Sequence, residues 1–363
     1  MTGTRSNTML ETGWFRSAEN WVEANVLGAD EFANFGFAMA LVLCAILAFL
    51  LVTAAGKLLT SLNNAAGVRA FRKSRDPGYR VLVAQPTGRG AARLGRWLND
   101  ALKSHLTEFN FGAPLRLGKT GAIDGGLDPK ALARARKRLA AADADMLVWA
   151  TRTGPGSDGF VIHGLSRGGG LRPDEARAFT IALPGRRNAL QGQMPRVAAY
   201  LLAKQLQPAL ANPQAFRPEK MKLLASALDK MLLESDTASQ AIQNELEADF
   251  CASAVHVAET NGDLDLLDRV IALRRVHLFE VNNTTDPALV SQARMDLGRA
   301  LLARATKQYD QQAVQEAISH LSQVVDALRG DPAIQKAQTA SDAMYKAQSL
   351  IETRKRFSLN FGS

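Results

Sequence analysis

Two short strings hold residue types that chemistry uses. Leu117-Gly118-Lys119-Thr120 ends like a phosphate-gripping loop, in which backbone amides cradle phosphate oxygens and a lysine meets their charge. The preceding glycine is Gly112, so five residues separate the glycines where that loop has four. The next residues, Gly121-Ala-Ile-Asp-Gly-Gly126, are a turn sequence, whereas bound phosphate wants a helix N-terminus. The second string, Gly164-Leu165-Ser166-Arg167-Gly168, meets the letters of a hydrolase nucleophile elbow. An elbow must enter a helix. Ser166 instead follows a hairpin strand and precedes Gly168-Gly169-Gly170, a hairpin connection. His105, His163, His256, His277 and His320 are dispersed, none at metal-ligand spacing from another. Cys44 and Cys251 are too few for a disulfide framework or a multi-cysteine zinc site; Cys251 reads as core. The expectation is a binding protein and not an enzyme, with no catalytic residue, cofactor or metal.

The elements around these strings place the chain at a membrane. Of 363 residues, 47% are hydrophobic and 22% charged, ordinary globular usage that rules out wholesale disorder. From Phe32 to Gly56 no side chain is charged. A helix of that length reaches roughly 37 Å, more than the roughly 30 Å hydrocarbon core. A cleaved signal peptide needs a basic start and a shorter apolar stretch; here more than thirty residues precede the run, five of them acidic. A retained span is expected. Arg5 and Arg16 precede it, while Lys57, Arg69, Arg72, Lys73, Arg75 and Arg80 follow. Positive charge stays cytoplasmic, which predicts a single-pass membrane protein with its N-terminus outside and the bulk of the chain inside. Residues 1–31 form an extracytoplasmic segment in which Leu10, Trp14, Ala18, Trp21 and Val22 recur at the spacing of an interfacial helix.

Beyond the span, charge divides the chain. Twenty Lys and Arg stand against nine Asp and Glu from Pro77 to Leu210, and fourteen against twenty from Ala211 to Thr353. The basic half adjoins the bilayer, where an anionic leaflet attracts basic groups by about 1 kcal/mol each. Arg69, Arg72, Lys73, Arg75, Arg134 and Lys137 are the expected membrane-surface contacts. The basic stretch Lys130 to Arg138 lacks interleaved aromatics and any docking motif, so no nucleic acid is expected.

Residues 77–210 alternate strand and helix signals. Arg80–Ala84, Pro114–Leu117, Asp145–Ala150, Phe160–His163 and Phe179–Leu183 read as strands. Gly90–Leu106, a segment capped by Asp128-Pro129, and Met194–Leu206 read as helices. The order of elements, with Ala141-Ala-Asp-Ala-Asp145 running into Met146-Leu-Val-Trp-Ala150 and then a glycine-separated hairpin, resembles the TolB N-terminal-type α/β domain over Tyr79 to about Leu183. The resemblance implies a binding or positioning module in a bacterial membrane protein, ahead of helical repeats.

After Pro208, Pro213 and Pro218 strand signals stop. Asp286-Pro287 and Asp331-Pro332 lie forty-five residues apart. At that offset, to within one residue, Ala254 aligns with Gly298, Ala258 with Ala303, Ala272 with Ala317 and Val276 with Leu321. Such a period predicts stacked helical hairpins. Leu297-Gly298 and Ala317-x3-Leu321 are similar to the tetratricopeptide repeat, with nineteen positions from Gly298 to Ala317 where the family has twelve. A small residue at 298 lets the paired helices approach closely. The resemblance implies a concave surface for a protein partner, with Arg294, Arg299 and Arg304 as candidate groove residues. A helical bundle with no groove in use stays open.

The fold class expected is α+β multidomain: a transmembrane helix (32–56), a basic juxtamembrane linker (57–76), a small α/β domain (77–210), an all-α tetratricopeptide-like hairpin array (211–353) and a basic tail (354–363). The function expected is a membrane-anchored cytoplasmic adaptor contacting the lipid bilayer and a protein partner. The alternatives are a membrane-tethered sensor whose α/β domain binds a small ligand, and a hydrolase using Ser166; the sequence leaves self-association open.

Overall fold

In a computed structural model of the chain, the described residues are 33–73, 78–86, 91–152, 159–168, 170–184, 190–234, 238–281, 287–329 and 334–360, with Ser17, Asn20, Trp21 and Ala24. The helix expected over residues 10–22 therefore lies outside them, apart from the exposed Ser17, Asn20 and Trp21. The chain is mixed α and β with one sheet, and it divides into two compact units, Met1–Ala66 and Gly67–Ser363.

Helix α1 (Ala33–Lys73) contains the apolar run. Its window Met39–Gly56 has a mean hydropathy of 2.6, and none of it is buried. With Leu47, Phe49 and Leu51 exposed, this helix is long and apolar enough to cross a membrane. The helix runs past Gly56 to Lys73, through residues read as a linker, because Leu58-Leu-Thr-Ser-Leu62 and Ala65-Ala66 are helix formers and no proline intervenes before Pro77.

In the second unit, five strands line up as β2-β1-β3-β4-β5: β1 (Tyr79–Ala84), β2 (Leu115–Thr120), β3 (Met146–Arg152), β4 (Gly159–Ser166) and β5 (Arg177–Pro184). β1 pairs in parallel with β2 (Val81 opposite Leu117) and with β3 (Val81 opposite Met146). β3, β4 and β5 are antiparallel, with Trp149 opposite His163 and Ile162 opposite Ile181. The chain leaves β1 in one direction and returns past it in the other. Right-handed crossovers then put α2 (Ala91–Phe109) and α3 (Pro129–Ala142) on opposite faces. Strand alternation matches: Val81, Val83, Met146 and Val148 pack with α2 and α4 (Met194–Leu206), while Leu82, Ala84, Leu147 and Trp149 pack with α3.

Local chemistry fixes α3. The Asp128 carboxylate accepts from the amides of Lys130 and Ala131, Pro129 occupies the first turn, and Asp143 closes the helix in the left-handed region at φ 48°. The last turn of α1 reaches the same sheet face through Phe71. A Cβ at Gly118 would fall 2.7 Å from the Phe71 ring and 2.8 Å from Leu82 Cδ2, so only glycine permits that packing. This gives β2 its length: Gly118-Lys119-Thr120 is strand, not loop.

Helix α4 is almost wholly buried and joins the sheet layer to the helical half. Tyr200 donates its hydroxyl proton to Asp249 at 2.8 Å, and Lys204 Nζ bridges Asp249 at 2.6 Å and Glu245 at 2.7 Å. One apolar core runs from the sheet into the helices, across the 3-10 turns Pro208–Ala211 and Pro213–Ala215 where the sequence suggests a domain boundary. Beyond them come α5 (Pro218–Glu234), α6 (Gln240–Asn261), α7 (Leu264–Val281), α8 (Pro287–Lys307), α9 (Gln311–Ala327) and α10 (Ile334–Asn360). Each packs on the next, and the alternate helices α6, α8 and α10 also touch. Short connections between packed helices make successive ones antiparallel.

Candidate functional site

One residue builds a close approach between two helices. A Cβ on Gly298 of α8 would lie 2.7 Å from Leu321 Cγ and 3.3 Å from the Ala317 carbonyl oxygen, both on α9. Beside this contact α8 also packs on α6 and touches α10. A groove of about 920 Å³ opens there, lined by Asn212 and Gln214 of the 3-10 turns, Ser291, Gln292 and Arg299 of α8, and Lys336, Gln338, Thr339 and Asp342 of α10, with Met295, Val324 and Leu328 as its apolar portion.

Behind the groove lies a buried ionic chain. Lys336 Nζ donates to Gln292 Oε1 at 3.3 Å, and Gln292 Nε2 donates to Asp296 Oδ1 at 2.9 Å. Asp296 Oδ2 is 3.2 Å from Arg274 Nε, both side chains about 1% exposed. Arg274 continues to Glu247 through its carboxylate and its backbone oxygen, each at 3.1 Å. Burial pushes the Asp296 carboxyl above the ordinary carboxylate range against the pull of Arg274 and Arg299. Burial alone would lower the Arg274 value, but Asp296, Cys251 and Glu247 outweigh it and raise it. Arg299 forms a bidentate pair with Glu259 at 2.9 and 2.5 Å. Its charge is thus held at the groove wall, already partnered.

Of the three arginines read as groove residues, only Arg299 lines this groove. Arg304 pairs with Asp268 at 2.6 Å, and Arg294 is half-buried, close enough to depress His320 after burial and against Glu316. The structure does not bring the three together. Arg69, Arg72, Lys73, Arg134 and Lys137 are all exposed; Arg75 lies outside the described residues.

The strings with catalytic letters have other roles. Ser166 ends β4, is buried, and donates to the Gln205 carbonyl while accepting from the Gly168 amide. A turn and then β5 come after it, not a helix. Lys119 and Thr120 end β2, and the next helix begins nine residues later at Pro129. Among the described residues no three His, Cys, Asp or Glu side chains converge as a metal site requires. A smaller cavity of about 350 Å³ sits at the amino ends of β1 and β3, lined by Tyr79, Asp145, Arg167 and Gln207 among others. Burial raises the Asp145 carboxyl there against the Arg80 amide and the Arg167 charge.

Sequence reasoning missed Arg274, Asp296, Gln292 and Lys336, and the Tyr200–Lys204–Asp249 cluster. One signal was present: Asp296 stands between Met295 and Leu297, where a surface helix face would not place it. Compared with family models, curated proteins and solved structures, the chain matches none.

Proposed function

We propose that the protein is a membrane-anchored adaptor whose helical half holds an extended peptide segment of a partner protein. The observation carrying this reading is the groove lined by the 3-10 turns, α8, α9 and α10. Four side-chain amides (Asn212, Gln214, Gln292 and Gln338) with Ser291 and Thr339 line it. Side chains of this kind both donate and accept, as an extended backbone requires. At about 920 Å³ the groove is roomy enough for a short chain segment. Lys336 and Asp342 place one charge of each sign along the groove, Arg299 being paired with Glu259.

Serial packing of antiparallel helices, contact between alternate helices and the Gly298–Leu321 approach support a tetratricopeptide-like hairpin array. The sheet order and its two crossovers support the TolB N-terminal-type likeness for the α/β part. Both remain proposals, as does orientation: six basic residues follow the apolar run and two precede it, which supports a cytoplasmic C-terminal region. The absence of a catalytic arrangement around Ser166, buried and hydrogen-bonded in a hairpin, supports binding in preference to hydrolysis.

The test is site-specific photocrosslinking in membranes from cells expressing the full chain. A photoreactive residue at Gln338, in the groove, is expected to give a discrete protein adduct, and one at Gln323, exposed on α9, is not. Equal adducts at both positions, or none at Gln338, would defeat the groove as the binding site. The sensory reading predicts instead that a small molecule stabilises the α/β part through the Tyr79–Asp145 cavity.

A further inference from the structure

The exposed face of α3 is cationic, offset in part at Arg138 by Asp124. The helix carries five basic residues and no acidic one. Ala131, Ala135, Leu139 and Ala142 face the sheet. Lys130, Arg134, Arg136 and Lys137 are exposed, and none forms an ion pair with a described residue. Crowding is evident within the helix: after burial, the Arg134 charge lowers Arg138. The remaining exposed positions are Pro129 and three alanines (Ala133, Ala140 and Ala141), so the face offers no large apolar anchor of the kind protein interfaces use. Phe71 packs into the same core cluster as Ala131, Ala135 and Leu139. The exposed Arg69, Arg72 and Lys73 of the last α1 turns thus join the same side of the sheet.

Charge without apolar anchors fits a surface of phosphates. Two such surfaces exist, nucleic acid and an anionic leaflet, and connectivity separates them. Arg69 follows Gly56 by thirteen residues, so even a fully extended tether spans at most about 45 Å. A face tethered that closely experiences the leaflet as a permanent high local concentration of anions. We infer that the α3 face, with the last turns of α1, is a docking surface for anionic lipid headgroups, which orients the soluble unit on the membrane. This rests on the reading of Met39–Gly56 as a span and is independent of the groove.

The test uses the full chain in lipid nanodiscs. A fluorophore is attached at Ala133→Cys in a Cys44→Ser background; Cys251 is buried and its thiol is pushed up by that burial, so it does not label. Nitroxide-headgroup lipid quenches the fluorophore when the face meets the bilayer. With about 30% phosphatidylglycerol, quenching is expected to be at least about twofold stronger than in purely zwitterionic lipid. It should fall to the zwitterionic level at about 0.5 M salt and in the Arg134→Glu/Lys137→Glu variant. Equal quenching in both lipids, or quenching indifferent to charge reversal, overturns the inference. Duplex DNA shielding the fluorophore in zwitterionic nanodiscs where anionic lipid gives no quenching would assign the face to nucleic acid instead. Failure to enter zwitterionic nanodiscs at all would strike the span, whereas entry without lipid-dependent quenching strikes this inference alone.

Discussion

Gly298→Ala puts the α8–α9 contact under direct strain. In a helix interior this exchange normally stabilises by about 0.5–1 kcal/mol, because alanine loses less backbone entropy. Here the new methyl would sit 2.7 Å from Leu321 Cγ and 3.3 Å from a backbone oxygen. The first is the branch point of a fully buried leucine and not a free end. Forcing the helices apart costs about 1–3 kcal/mol, so the net expectation is a loss of about 1–2 kcal/mol. Leu321→Ala alone should cost about 3 kcal/mol as a buried cavity. In the double variant the added methyl enters the space Leu321 vacates. The combined loss should therefore fall short of the sum by about 1–2 kcal/mol. Urea unfolding of the detergent-solubilised chain, followed by far-ultraviolet circular dichroism, measures all four states. A stabilised Gly298→Ala variant, or strictly additive losses, would refute the close approach.

Replacing Asp296 by Leu alone should cost about 3–5 kcal/mol because it leaves Arg274 charged and buried, whereas Arg274→Met/Asp296→Leu should cost far less or nothing, as measured by the same unfolding assay. The Asp296 carboxyl sits above its ordinary value when folded, so the native state binds its proton more readily. Its penalty is present at neutral pH and fades as pH falls through the folded value toward about 4. The stability of the double variant relative to wild type should accordingly decline on acidification between pH 7 and about 4.5. Lys204→Met strands the buried Asp249 carboxylate and should destabilise by about 3 kcal/mol or more. Tyr200→Phe removes one hydrogen bond to the same oxygen and should cost about 1–2 kcal/mol. Exchanging Lys336 for Glu should weaken the Gln338 crosslink several-fold, since Lys336 is exposed. The exchange also removes the Lys336–Gln292 hydrogen bond, so the unfolding free energy should fall by about 1 kcal/mol, too little to unfold the chain.

The apolar run, the strand and helix order and the Gly298 approach were legible because each is local: an uncharged stretch, Asp128-Pro129 as a cap, alternating Val and Leu, a small residue at a repeat offset. The groove was not, since it assembles from turns near residue 212 and helices more than seventy residues further on. Arg294, Arg299 and Arg304 illustrate the limit. Successive members are five residues apart, a net rotation of about 140° on a helix, so the three point in different directions. Buried charges escape periodicity for another reason: Arg274, Asp296, Lys204 and Asp249 score as surface letters, and only partners from distant helices make their burial tolerable. The expected linker after Gly56 misled likewise, because loss of apolar character at Lys57 does not end the helix, which runs to Lys73.

Everything proposed about partner and lipid depends on the helix that contains Met39–Gly56 being kept in the bilayer with residues 67–363 on the cytoplasmic side. Fusing alkaline phosphatase or a fluorescent protein after Ser363 and assaying carbonate-washed membranes measures that directly. The expected result is a full-length fusion in the membrane pellet, fluorescent and without phosphatase activity. A dark fusion with active phosphatase, or a soluble product trimmed near Gly56, would contradict it.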